Sequence, residues 1–170
     1  MPPATAKSAP AKSVPKRPSR RFDSPQQECY LNLWRTYDRL RMVEDQLFAQ
    51  HDLTAQQYNA LRLLRSEHPA GLPTLALASR LVSHAPDITR LIDRLEQRGL
   101  VARQRVAANR RVVQIAITDA GLGLLKSLDQ PVRECHQKQL SHLNGSQLQA
   151  LIELLRTARQ PHETETSAWQ

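Results

Sequence analysis

The chain has 170 residues, enough for one domain with its own core, and its 40% hydrophobic and 24% charged residues are a globular balance. Five glycines and 4% aromatic residues favour a helical fold built on Leu, Ala and Val over a β-sandwich. The formal net charge of +8 indicates a polyanionic partner, and no apolar run approaches the ~18 residues that span a bilayer, so no membrane contact is expected.

The positive charge is concentrated in two segments. Residues 1–24 hold six basic residues against one acidic residue, and residues 74–118 hold eight arginines against three acidic residues. The rest of the chain is slightly acidic. A phosphate-rich partner is therefore expected to meet one or both of these segments.

The two cysteines, Cys29 and Cys135, lie far apart in the sequence. No close Cys/His spacing is typical of a zinc site, so we expect no disulfide framework, no metal and no cofactor. This composition fits a reducing cytoplasm. The basic N-terminus has no apolar run and is not a signal peptide.

Residues 1–23 consist mainly of Pro, Ala, Ser, Lys and Arg, which predicts a disordered basic tail. This tail is either an inert solubilising segment or a mobile arm that touches DNA phosphates. Order is predicted to begin at Ser24, which can form a capping box with Gln27, and an apolar stripe at helical spacing predicts a helix to about His51.

A second capping box, at Thr54 and Gln57, opens a helix that is expected to end near residues 68–71. A short helix (75–82), a turn around Ser83 and a helix (85–98) stopped by Gly99 follow. Two alternating, β-branched segments, 101–106 and 112–118, surround a basic turn at 107–110 and predict a β-hairpin.

A long helical region is predicted at 119–142, where Pro131 could introduce a kink. Asn144 is predicted to cap a final helix with a leucine stripe, and residues 161–170 are expected to fray. The fold class is therefore mainly α, with a helix-turn-helix followed by a hairpin.

A second helix after a short turn is the element that reads DNA in helix-turn-helix proteins. Its first turn is expected to approach base edges, and arginines further along are expected to meet phosphates. The candidate base-reading residues are His84, Asp87, Thr89 and Arg90, and the candidate phosphate-contacting residues are Arg94 and Arg98.

The segment SRLVSHAPDITRLIDRLEQRGLVARQRVAANRRVVQIAITDAGLGLL, residues 79–125, resembles the MarR family of bacterial transcription regulators. The resemblance covers roughly 25–160. It implies a homodimeric winged helix-turn-helix regulator of double-stranded DNA at a palindromic operator in the bacterial nucleoid. It implies dimerisation through 24–53 and 119–160, DNA binding through 54–118, and release by small aromatic or lipophilic ligands or by oxidation.

By position, Arg111 matches the wing arginine that enters the minor groove, and Asn109 stands where the family usually has Asp. Because Asn lacks the carboxylate charge that would orient this arginine, the wing geometry is looser or Arg110 shares the role. Thr118 and Gly121 match the end of the wing and are interpreted as a cap and a small packing residue.

Four residues could line a ligand pocket or could form ordinary core: Trp34, Tyr37, Tyr58 and Arg62. Cys29 lies in the first helix, where oxidant sensors of the family carry a cysteine, but about one turn too early. We interpret both cysteines as ordinary thiols.

Three other classes of function remain to be compared. An enzyme is disfavoured because the sequence has no Gly-rich phosphate loop, nucleophile elbow or clustered carboxylates. A winged-helix protein-interaction module would not need the eight arginines of residues 74–118. A sequence-tolerant chromosome-binding protein would bind random DNA as well as an operator.

Overall fold

The computed structural model describes residues 22–82, 87–106 and 109–163, without the side chains of 105–112. Within these residues, the chain divides into two compact units, one before and one after the boundary between Tyr37 and Asp38. Several predictions lie outside the described residues: nearly all of the tail (1–23), Ser83, His84, the helix start at Ala85, the turn residues 107–108, and 164–170.

Six helices, three strands and a short 3-10 turn make up the described chain. In chain order they are α1 (Pro25–Ala49), α2 (Ala55–Ser66), β1 (Leu72–Pro73), α3 (Thr74–Arg80), α4 (Ile88–Gln97), β2 (Val101–Val106), β3 (Asn109–Ile117), α5 (Asp119–Leu140), α6 (Gly145–Arg159) and the turn Gln160–His162. This order confirms the predicted mainly α fold with a small antiparallel sheet.

The beginning of α1 differs from the predicted capping box. The Ser24 hydroxyl accepts a hydrogen bond from the Gln27 N–H at 3.1 Å, as expected. The Gln27 side-chain oxygen, however, accepts from the Asp23 N–H at 2.7 Å and not from Ser24. The prediction of a reciprocal box was therefore wrong by one residue, because Asp23 offers a second backbone donor just outside the helix.

The predicted capping box at the start of α2 is confirmed. Thr54 Oγ1 accepts from the Gln57 N–H at 3.2 Å, and Gln57 Oε1 accepts from the Thr54 N–H at 2.9 Å. The inward stripe of α2 is buried, including Leu61 and Leu64. This helix thus begins where the sequence predicted and contributes one wall of the core.

The sheet has three strands, whereas the sequence predicted only a hairpin. Strand β1 pairs with β3 in the order β1-β3-β2, with Leu72 opposite Ile115. Gly71, immediately before β1, has φ +77, and a Cβ there would lie 2.5 Å from the Ile115 carbonyl oxygen. A strand of two residues is too short to show alternating apolar and polar side chains. In the sequence, β1 is therefore indicated only by the glycine that precedes it.

The second hairpin strand also begins earlier than predicted. Strand β3 starts at Asn109, not at Val112, and pairs antiparallel with β2 from Val101 opposite Ile117 to Val106 opposite Asn109. The register shifts between Arg105 and Val106. Such a shift in register allows a strand to continue through residues whose apolar and polar side chains do not alternate regularly.

The helix-turn-helix is present with shorter helices than predicted. Helix α3 ends at Arg80 because Leu81 is extended, with ψ 141. Helix α4 begins after Asp87, and Gly99, with φ +66, follows its end. The stop at Gly99 is confirmed, since a left-handed residue after a helix is a position that glycine fills without strain.

The last two helices follow the predicted pattern. Helix α5 is one element from Asp119 to Leu140 with Pro131 inside it. Asn144 caps α6 and forms a capping box with Gln147. Among the described residues, no helix is long and apolar enough to cross a membrane.

The core of the second unit joins α2, α3, α4, the sheet and α5. Its largest fully buried side chains are Phe48, Leu61, Leu64, Leu77, Ile92, Leu95, Val101, Ile115, Leu125 and Leu128. Helix α4 is therefore packed on the core along one side, which leaves its other side available to a partner.

Gly121, near the beginning of α5, leads to a stability prediction. A Cβ there would lie 2.3 Å from the Leu100 carbonyl oxygen and 2.7 Å from Ile117 Cγ1. Gly121→Ala is expected to lower the free energy of unfolding by about 1–3 kcal/mol, the usual cost of overpacking. Urea unfolding at one fixed protein concentration measures it, since assembly changes apparent stability.

Gly123 is the matched control, because a Cβ there would meet nothing within 4 Å. Gly123→Ala is expected to stabilise the protein by about 0.5–1 kcal/mol, because alanine loses less conformational freedom in a helix. Equal unfolding midpoints for the two variants would show that the close approach at Gly121 does not constrain the fold.

Candidate nucleic-acid interface

Helix α4 has one apolar face and one polar face. Leu91, Ile92 and Leu95 are buried in the core of the second unit. Thr89, Arg90 and Arg94 are exposed. An amphipathic helix held in this way can place its polar face in a groove of DNA without giving up core packing.

Asp87 occupies the N-cap position of α4. Its Oδ1 accepts a hydrogen bond from the Arg90 N–H at 2.9 Å, and its Oδ2 lies 2.9 Å from Arg90 Nε. The sequence placed Asp87 inside the first turn as a base-reading residue. The structure gives its carboxylate the capping role, which also fixes the direction of the Arg90 side chain.

Arg98, which follows α4, contacts the backbone at the end of α1. Its guanidinium donates to the carbonyl oxygens of His51, at 3.0 Å, and Asp52. The sequence predicted a phosphate contact for this side chain. The observed partners belong to the protein itself and lie almost fifty residues earlier in the chain.

Arg103 ties strand β2 to α4. Its guanidinium forms ion pairs with Asp93 and Glu96, and its backbone N–H donates to Glu96 at 3.2 Å. The hydrogen bond to Asp93 and the charge of Glu96 raise the pKa of Arg103 above its usual value. One of the eight central arginines is thus paired with two carboxylates, which the sequence analysis missed.

The turn between α3 and α4 has a side-chain support that the sequence analysis also missed. Asn59 of α2 accepts a hydrogen bond from the Val82 N–H at 3.1 Å through its Oδ1. Nearby, Arg80 pairs with Glu67 at 2.5 Å. The end of α3 is therefore held against α2, and no local pattern predicts contacts over such separations.

Thr118 links the end of the hairpin to its neighbours. Its hydroxyl donates to the Gly99 carbonyl at 2.6 Å and accepts from the Gly121 N–H at 3.2 Å. Together with the close approach at Gly121, these contacts confirm the interpretation of Thr118 as a cap and Gly121 as a packing residue.

The wing residues are described only in their backbone. Asn109, Arg110 and Arg111 lie in strand β3, and their side chains are outside the described part of the chain, as is all of His84. Their DNA-binding roles stay predictions. Arg94, by contrast, is described, and its side chain is exposed on α4.

The four candidate ligand residues divide between the two units. In the first unit, Trp34 is 61% exposed and Tyr37 is also exposed, and the Trp34 ring lies 6.2 Å from that of Tyr30. Trp34 and Tyr37 are therefore not buried in a core within their own unit. The single chain does not support the interpretation of these two residues as ordinary core.

In the second unit, Tyr58 is buried and stacks on Phe48 with ring centroids 4.6 Å apart. The Arg62 guanidinium lies 6.0 Å from the Tyr58 ring centroid. Burial raises the pKa of Tyr58, and the charge of Arg62 opposes that rise. Tyr58 is thus a core residue whose ring is covered from one side by a cation.

The two thiols differ in accessibility. Cys29 is exposed and Cys135 is buried. Burial, followed by the charge of Glu44, raises the pKa of Cys135, which makes its reactive thiolate scarcer. Glu44 itself pairs with His136 at 2.8 Å. Cys135 therefore fits the interpretation as an ordinary thiol.

Comparison with known proteins decides the family. The model of the MarR family matches residues 53–113, from the beginning of α2 into the hairpin. The crystal structure of a MarR transcription factor from Planctomyces limnophilus is 60% identical in sequence, with 81% of this chain and 99% of that chain covered and a TM-score of 0.63. This chain belongs to the MarR family. It is a transcription regulator and not an enzyme, as the sequence predicted.

More distant MarR-like structures share the fold. The S. aureus MepR–DNA complex is 24% identical, with 78% of this chain and 97% of that chain covered and a TM-score of 0.70. Bordetella bronchiseptica BpsR, whose DNA binding is regulated by 6-hydroxynicotinic acid, is 24% identical, with 84% and 97% covered and a TM-score of 0.70. These matches confirm the winged-helix fold of the MarR-family chain.

Proposed function

We propose that this MarR-family regulator binds a palindromic DNA operator as a homodimer and acts there as a repressor in the bacterial cytoplasm. The observation that carries the proposal is the orientation of α4 beside the β2–β3 hairpin. This helix buries its apolar face in the core and leaves Thr89, Arg90 and Arg94 exposed. MepR, a structural relative, was solved in complex with DNA.

In this proposal, residues 54–118 form the DNA-binding domain. The beginning of α4 enters the major groove, where His84, Thr89 and Arg90 approach base edges, while Asp87 orients Arg90. Arg94 meets phosphate. Asn109, Arg110 and Arg111 of the wing reach the adjacent minor groove, whose narrow width concentrates negative potential and attracts arginine.

The homodimer is proposed from apolar surface on the first and last helices, within 24–53 and 119–160. Helix α6 buries none of its residues in the single chain, and Leu154 is 68% exposed, with Ile152 and Leu155 also exposed. In α1, Leu31, Leu33 and Trp34 are exposed. Exposed apolar patches of this kind are typical of protein interfaces.

A small aromatic or lipophilic acid is the proposed signal. BpsR responds to 6-hydroxynicotinic acid, an aromatic acid. In this chain, Trp34 and Tyr37 are exposed aromatic residues of the first unit. In the second unit, Arg62 is an exposed cation beside the buried ring of Tyr58 and is available to a carboxylate or phenolate. A few polar anchors among apolar side chains are usual in ligand sites.

Selection of duplexes from random DNA is the experiment that tests operator recognition. Selected sites are expected to be palindromic, with half-sites about one helical turn apart, and transcription from a promoter that contains such a site should fall when the protein is present. No enriched sequence would indicate a sequence-tolerant chromosome-binding protein. Affinity that does not depend on salt would favour a protein-interaction module.

Arg111→Ala is expected to weaken operator binding about tenfold or more, or about 1.4 kcal/mol, because it removes the proposed minor-groove contact. The salt slope of binding should also become shallower by about 0.9. Arg156→Ala is the control, since it removes the same charge from an exposed site on α6. Because α6 belongs to the proposed dimer interface, both variants are first shown to be dimeric by analytical ultracentrifugation. Equal affinities for the two variants would refute the wing role of Arg111.

Leu154→Glu is expected to shift the protein from dimer to monomer in analytical ultracentrifugation at micromolar concentration, because a carboxylate cannot be buried unpaired at an apolar interface. Leu75→Glu is the matched control. Leu75 is 82% exposed but lies on α3, outside the proposed interface, so this variant should stay dimeric. A monomeric wild-type protein would contradict the proposal directly.

Arg62→Ala is expected to reduce, by about tenfold or more, the ability of aromatic acids to release the operator, while leaving operator affinity without ligand unchanged. A ligand panel monitored by tryptophan fluorescence and DNA release measures this, with Arg156→Ala as control. Equal release from wild type and Arg62→Ala would exclude Arg62 from the site.

Release by peroxide that disappears in Cys29→Ser would place the signal on that thiol.

A further inference from the structure

Arg98 joins the end of α4 to the turn that ends α1. Its guanidinium donates to two consecutive carbonyl oxygens, those of His51 and Asp52. The same turn is shaped by the His51 and Leu53 N–H groups, which both donate to the Phe48 carbonyl, at 2.9 and 3.0 Å. Two elements far apart in sequence thus meet through one side chain.

The chemistry of this contact is favourable for a specific reason. The last turn of α1 has no basic residue of its own, although the carboxyl end of a helix carries partial negative charge. Asp52 adopts a left-handed conformation, with φ 52. A planar guanidinium has several donors in a fixed arrangement, so it can bind two adjacent carbonyls, as it does here.

Arg98 also lies at the end of α4 that is away from the proposed base contacts. It follows Ile88, the first residue of the helix, by ten positions. At 1.5 Å per residue this is about 15 Å along the axis. In helix-turn-helix proteins the first residues of the reading helix contact bases, which leaves the opposite end free for attachment to the rest of the protein.

We propose that Arg98 is a positioning residue for operator recognition: it fixes the direction of α4 by binding the carboxyl end of α1, and it does not contact DNA phosphates. This inference rests on the proposed function. It replaces the phosphate contact that the sequence pattern predicted, because two guanidinium N–H groups of Arg98 bind His51 and Asp52 and hold this exposed side chain against the end of α1.

A positioning role has a signature that differs from a phosphate contact. Hydrogen bonds to base edges depend on the angle of the reading helix, whereas non-specific binding depends mainly on charge. Loss of the contact should therefore weaken binding to the operator more than binding to random DNA. A lost phosphate contact weakens both and makes the salt dependence shallower.

The test compares Arg98→Met with Arg94→Met. Both residues are exposed, but Arg94 is the proposed phosphate contact, so its variant shows the effect of losing such a contact. Kd values are measured for the selected operator and for a random duplex across a salt series. Arg98→Met is expected to weaken operator binding about tenfold, to change random-duplex binding by less than about twofold, and to keep the wild-type salt slope.

Two results would overturn the proposal: unchanged operator affinity in Arg98→Met, or an equal loss for both duplexes with a salt slope shallower by about 0.9. The thermal midpoint of each variant, measured first, shows that binding is compared between folded proteins. A wild-type protein without preference for its selected operator would refute the proposed function, and this inference with it.

Arg98→Lys keeps the test decisive if Arg98→Met does not fold. Lysine preserves the positive charge, and so preserves a phosphate contact, but it lacks the planar fork that binds two carbonyls. This variant is expected to lose operator affinity while its salt slope and random-duplex affinity stay at wild-type values. Operator binding by Arg98→Lys as tight as wild type would contradict the positioning role.

Discussion

The backbone around Leu100 is the constraint on which the arrangement of α4, the hairpin and α5 depends. The Leu100 N–H donates to the Leu95 carbonyl at 3.0 Å, at the end of α4, and the Leu100 carbonyl accepts from the Thr118 N–H at 3.1 Å, at the end of β3. Helix α5 approaches the same carbonyl so closely that only glycine fits at position 121. Because protein interiors are close-packed, three elements that meet through one peptide cannot slide independently. The hairpin therefore keeps a fixed place beside the helix that the protein is proposed to insert into DNA.

The central arginines whose side chains the structure describes differ in their partners in a way that the sequence does not show. Arg103 is paired with two carboxylates, and Arg98 binds backbone carbonyls, so both hold α4 and its surroundings in place. All four side chains are exposed, but they differ in their partners: Arg90, four positions before Arg94, pairs with the carboxylate of Asp87 within its own helix turn. The count of basic residues correctly located the charged segment. It did not show that some of these guanidinium groups also bind acceptors of the protein itself.

The sequence predicted elements whose signals are local and missed those whose partners are distant. The box at Thr54, the cap at Asn144 and the stop at Gly99 follow from residues within one helical turn, and all three are confirmed. Strand β1 was missed because two residues carry no period, and it exists only because β3 passes beside it. The partners of Arg98 and Asn59 are set by tertiary packing, which no window of the sequence contains. The wing roles came from family resemblance and still rest on it.

The contact between Arg98 and the end of α1 bears on how a signal could reach DNA. A ligand changes operator affinity only to the extent that it prefers one arrangement of the protein, and a tenfold change requires about 1.4 kcal/mol of preference. Under the proposed function, α1 carries part of the ligand site and α4 reads DNA, so a ligand acts on DNA only if a change in α1 reaches α4. The two hydrogen bonds from Arg98 to the carbonyl oxygens of His51 and Asp52 join the carboxyl end of α1 to the end of α4 and offer such a route. In the proposed dimer, a displacement of α1 that alters the distance between the two copies of α4 would act on both half-sites at once. Regulation of this kind requires a connection between these two helices, and a side chain that provides it need not contact either DNA or ligand.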